Sequence, residues 1–128
     1  MSTVTMEPRP KTVPSITKRV KLACGSLYIT ITHKDGKIFE VFVSMGKAGG
    51  CLSACLNALA ISISLAVRSG VDPSLFIEFL KDIKCPSPTW EEGRMYSSCV
   101  DALAQCMEET QKKLSEGEYE SDITTIQH

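Results

Sequence analysis

The chain has 128 residues, enough for one hydrophobic core, and 43% of them are hydrophobic against 23% charged. A formal net charge of −1 argues against a general nucleic-acid binder, which carries a clear basic excess. Residues 1–20 hold Pro8, Pro10 and Pro14 and no apolar run, so no secretory signal is expected there. Six cysteines in a chain placed in a reducing cytosol are expected as thiols or metal ligands rather than disulfides.

Residues 1–12 are polar and proline-bearing and predict a disordered lead-in, followed by one domain over 13–116 and a polar tail over 117–128. Ser15–Leu22 is a candidate strand. Leu27–Thr32 and Ile38–Val43 are rich in β-branched and aromatic residues, and Asp35-Gly36 between them is a favoured hairpin turn. Alternation sets Tyr28, Thr30 and Thr32 on one face and Leu27, Ile29 and Ile31 on the other.

A glycine-rich stretch, Gly46 to Gly50, releases the chain into a long apolar helix over about 51–69. Ser53, Asn57, Ser62 and Ser64 interrupt that helix, so it predicts a buried central element rather than a membrane span. Asp72-Pro73 starts a second helix to about Lys84, burying Phe76, Ile77, Leu80 and Ile83. After a loop containing Trp90, Gly93 and Tyr96, Ser98 and Asp101 form a capping-box pattern that opens the last helix. The fold class is α+β: a small antiparallel sheet packed against three helices, the central one buried.

Four cysteines fall at element boundaries: Cys24, Cys51, Cys85 and Cys99. Cys55 and Cys106 fall inside helices and are assigned to packing. Four boundary thiols suit a tetrahedral zinc site, but their intervals match no knuckle or ribbon, and ordinary buried thiols or redox work fit them as well. A helix N-terminus would lower the pKa of Cys51 or Cys99. Gly46, Lys47, Gly49 and Gly50 outline an anion or nucleotide-phosphate cradle; they equally serve as a tight turn and do not form a P-loop. His33, in the expected hairpin turn, and His128, at the end of the chain, are expected to be solvated. Trp90 and Tyr96 are expected to cover the cysteine region, with stacking on a ligand as the other role.

Arg9-Pro10, Thr17-x-Arg19 and Cys24-Gly25-Ser26-Leu27-Tyr28-Ile29-Thr30-Ile31 resemble the opening of the TSCPD domain. The resemblance continues through Phe39–Val43, Gly46–Cys51, Ile63–Val71 and Ile83-Lys84-Cys85-Pro86 to Ser97-Ser98-Cys99-Val100-Asp101, and covers about residues 9–108. The last motif has Ser for Thr and Val for Pro, which removes only a helix-start proline; Cys55 and Asn57 also depart from the expected pattern.

This resemblance implies kinship with the C-terminal domain of adenosylcobalamin-dependent class II ribonucleotide reductases. It carries over Cys24, Cys51, Cys85 and Cys99 as the family's cysteines, with zinc as the expected metal. The barrel, cobalamin site and Cys-x-x-Cys tail of such a reductase do not fit in these 128 residues, so the expectation is a non-catalytic accessory or regulatory domain that binds no cobalamin. The natural partner is a reductase subunit. TSCPD proteins also resemble those accompanying phage genes and diversity-generating retroelements, which offers a reverse transcriptase or nucleic acid as partner through the basic segment 9–21. A homo-oligomer built on the last helix is a further expectation; a membrane is not.

Overall fold

The structure, a computed structural model, describes residues 5–46 and 50–117. Three strands pair in chain order: β1 (Ser15–Leu22), β2 (Gly25–Lys34) and β3 (Lys37–Met45), all antiparallel. Asp35 and Gly36 both have positive φ, 55° and 75°, which gives the two-residue turn the twist that antiparallel strands require. The third strand expected at Ser15–Leu22 forms with those limits.

Alternation divides the sheet except near the Asp35-Gly36 turn, where Ile31–His33 and Ile38–Val41 are buried in unbroken runs. Val20, Leu27, Ile29, Ile31, Val41, Val43 and Met45 are buried beneath it, while Tyr28 and Phe42 stand exposed on the other face. His33 belongs to the strand rather than to the turn. A register shift between Thr32 and His33 accommodates it, its backbone N–H donates to the Pro14 carbonyl at 3.0 Å, and its side chain is buried. The expectation of a solvated His33 is therefore corrected, and burial pushes its pKa below the ordinary imidazole value.

Helix α1 (Gly50–Arg68) runs along β3. Its Ser64 hydroxyl accepts the Val41 N–H at 2.8 Å and donates to the Val41 carbonyl at 2.9 Å, satisfying backbone groups at the strand's free edge. Leu56, Ala60, Ile63 and Ser64 are the helix's buried residues. The helix expected to be buried packs through one side: 28% of its apolar stretch is inside, and Leu52, Ile61 and Leu65 are exposed. Among the described residues it is the one helix long and apolar enough to cross a membrane; here it flanks a sheet.

Helix α2 (Pro73–Leu80) starts where Asp72 accepts the Ser74 N–H. It stops at Leu80, short of the expected Lys84, because Asp82 turns the chain with a φ of 67° and donates its N–H to Asp101 at 2.8 Å. Ile83 is accordingly exposed, not buried. Helix α3 (Cys99–Ser115) packs under all three strands and against α2. Between α2 and α3 lies a short hairpin that the sequence pattern did not announce: β4 (Thr89–Glu91) and β5 (Arg94–Tyr96), turning on Glu92 and Gly93 with positive φ.

Residues 5–14 have no strand or helix. Glu7 donates its N–H to the Arg68 carbonyl at 2.7 Å, and the Arg9 side chain meets the buried Glu40 carboxylate at 2.8 Å. The first four residues of the expected lead-in and 118–128 of the expected tail lie outside the described residues, His128 among them.

Candidate thiol site at one end of the sheet

The β1–β2 turn consists of Ala23 and Cys24, closed by the Leu22–Gly25 pair. Gly25 takes a φ of 135°, and a Cβ there would lie 3.4 Å from the Met45 sulfur, so glycine suits both the backbone and the packing. The β4–β5 hairpin is fastened to this turn. The Thr89 hydroxyl accepts the Ala23 N–H at 2.9 Å, and the Glu91 carboxylate accepts the Lys21 N–H at 2.7 Å.

Cys85 is fixed by its own backbone, whose N–H donates to the Ser97 carbonyl at 3.0 Å, while its sulfur accepts the Ser87 N–H at 3.4 Å. Cys99 opens α3. Ser98 caps that helix by accepting the Asp101 N–H at 3.0 Å, and its hydroxyl donates to the Ile83 carbonyl at 2.6 Å. Only half of the expected capping box forms. The Asp101 carboxylate turns away from the Ser98 N–H and instead accepts N–H groups from Asp82, Ser97 and Gln105 at 2.7–2.8 Å. Buried and triply bonded, Asp101 ties the segment after α2 to the start of α3, and so holds Cys85 and Cys99 in the same region.

Cys24 and Cys85 are near enough to Cys99 for their charges to act on it. The Cys99 pKa is pushed up to about 11, first by burial, then by the charge and hydrogen bond of Cys24, and also by the charge of Cys85. Burial, with the neighbouring cysteines adding to it, outweighs the helix N-terminus expected to acidify Cys99. Cys51 is exposed in the first turn of α1. It lies toward the same end of the sheet, since β3 ends opposite the start of β2, with Met45 paired to Leu27 and the Gly46 N–H donating to the Ser26 carbonyl at 2.8 Å. Among the described residues, no three His, Cys, Asp or Glu side chains are grouped closely enough to hold a metal ion. By chemistry alone, thiols from Cys24, Cys85 and Cys99 are the donor type that suits a soft divalent metal.

Cys106 is buried as assigned, and burial pushes its pKa up to about 11 as well. Cys55 is exposed, because its position on α1 faces away from β3, so its assignment to packing is corrected. Of the two residues expected to cover the cysteine region, Tyr96 enters the core and Trp90 is 67% exposed. Of the glycine-rich cradle, Lys47 and Gly49 lie outside the described residues; Gly50 is exposed, and the Gly46 N–H is engaged by Ser26. What the cysteine pattern alone missed is Asp101, whose bonds run to segments 19 residues before it and four residues after it.

These features define a small α+β domain with cysteines at the β1–β2 turn, in the loop after α2 and at the start of α3. The TSCPD domain family matches residues 3–111, and the chain belongs to that family. The family is related to ribonucleotide reductase. No solved structure matches the chain.

Proposed function

We propose that this domain is a non-catalytic accessory module of ribonucleotide reduction, working in the cytosol and docking on a reductase subunit. The observation that carries the reading is α1. From Gly50 to Val67 it holds no charged residue, yet Ile61 and Leu65, one turn apart, are exposed on its outward side. An uncharged apolar helix face in water favours a protein partner. Kinship with the reductases supplies the class of partner.

The thiols support a second part of the same reading. Cys24, Cys85 and Cys99, with Cys51 as fourth ligand, would hold zinc, whose role there is to lock element ends rather than to activate a substrate. Met45, packed close to Gly25, braces the turn that presents Cys24.

Metal analysis of protein purified under reducing conditions tests the site. About one zinc per chain is expected, lost on Cys24→Ser, Cys51→Ser, Cys85→Ser or Cys99→Ser and kept on Cys106→Ser. Metal-free wild type of full stability would remove zinc from the reading. Capture of the reductase subunit by immobilised wild type, and its loss with Leu65→Glu, tests the docking; no capture under any condition would end that part.

A further inference from the structure

The outer face of the three-stranded sheet carries side chains that core packing does not explain. Tyr28 and Phe42 are 38% and 44% exposed. Register places Arg19 opposite Tyr28 and Thr30 opposite Phe42, so the two rings are diagonal neighbours, about 7–8 Å apart along the backbone. The Tyr28 ring rests its Cε2 edge over Gly46, where a Cβ would meet it at 3.4 Å. Thr17 and Thr30 join hydroxyls across the strands at 2.9 Å.

The exposed charge that the strands place on this face is of one sign. Glu40 is the only carboxylate the three strands place there, and it is buried, taken up by Arg9, Arg68 and the Thr32 hydroxyl. Arg19 and Lys21 are exposed and make no ion pair among the described residues. Glu91, at the rim of β1, is occupied by the Lys21 backbone N–H.

From this we infer that the outer sheet face is a stacking platform for single-stranded nucleic acid. Unstacked bases lie on Tyr28 and Phe42, and the phosphates between them meet Arg19 and Lys21. The face offers aromatic rings, hydroxyls and cations, with no exposed aliphatic side chain of the kind that covers α1. A sheet face is too broad to enter a duplex groove, whereas a single strand turns its bases outward to meet it. The near-neutral charge of the whole chain agrees with a short contact of few phosphates. This surface is distinct from the outward side of α1, and the inference stands independently of the docking described above.

Fluorescence anisotropy with a labelled oligouridylate and a labelled oligothymidylate of about eight nucleotides tests it, starting near 50 mM salt. Binding is expected to weaken about 5- to 150-fold in Tyr28→Ala and in Phe42→Ala, corresponding to one lost stacking contact each. Removing both Arg19 and Lys21 should flatten the salt slope by about 1.4, at roughly 0.7 per phosphate on a single strand. Phe79→Ala, on α2 and 71% exposed, should bind as wild type does. All these positions are exposed, and circular dichroism checks that the variants stay folded. Tighter binding of oligouridylate assigns the platform to RNA, and equal or tighter binding of oligothymidylate assigns it to single-stranded DNA. No binding at low salt, a preference for duplex, or undiminished affinity in both aromatic variants would overturn the platform; the first result would leave a protein as occupant of the face.

Discussion

Helices α1 and α3 have similar lengths, 19 and 17 residues, and both lie against the sheet, yet they are built on opposite rules. α3 is amphipathic: Ala102, Leu103, Cys106 and Met107 are buried, while Glu108 and Lys112 stand on its outward side and Glu108 pairs with Lys81. Its first turn is acidic and its last turn basic, matching the helix dipole. α1 carries no charge until Arg68 and leaves most of its apolar length outside. The contrast teaches that one sheet can be flanked by a helix that meets water with charges and by one that meets it without; the docking proposed above would cover the second.

The largest expected effect lies on α3. Leu103 is fully buried in the core, and Leu103→Ala should destabilise the domain by about 2–5 kcal/mol through lost burial and the cavity left behind. Urea unfolding followed by circular dichroism measures it. A loss under about 1 kcal/mol would mean that α3 is not the anchoring helix and would erase the contrast with α1.

Cys106 gives a second handle on the same helix. Its thiol titrates near 11 in the fold against 9.0 as its ordinary value, because burial disfavours the thiolate. Between those values the folded state keeps a proton that the unfolded chain has released. Stability is therefore whole below pH 9 and is lost as pH rises through 11, by roughly 2–3 kcal/mol. Unfolding curves across that range should show the decline, and Cys106→Ala should make it shallower. An unchanged slope in the variant would assign the alkaline loss elsewhere, Cys99 being the next group to test.

The same contrast shows what a sequence can disclose. Wherever one period governs, the fold was legible: the limits of β1, the Asp35-Gly36 turn and the Ser98 cap all follow from local pattern and turn chemistry. His33 was not, since a bulge two residues before the turn shifts its register, and no local signal marks a bulge. β4 and β5 span three residues each, too few for alternation to register. Cys24, Cys85 and Cys99 were selected by their place at element boundaries, and what positions them, the bonds of Asp101 and the fastening of the hairpin β4–β5, is tertiary and carries no local signal. α1 misled for the opposite reason. Composition measures how apolar a helix is, and it does not say whether the covering surface belongs to the same chain.

The smallest effect on stability should come from α1's outer side, and it decides most about function. Leu65 is 48% exposed, so Leu65→Glu removes little buried area and should shift unfolding by no more than about 0.5 kcal/mol. The charge it introduces would have to be desolvated at an interface, at a cost of several kcal/mol, so capture of the reductase subunit should fall at least tenfold while the fold is unchanged. A large loss of stability in the isolated domain would show that Leu65 is covered within the chain itself, and α1 would then be an ordinary core helix like α3. A stable variant that still captures its partner would move the docking surface off α1, leaving the outward side of α2, where Leu75 and Phe79 are exposed, as the apolar surface to test next.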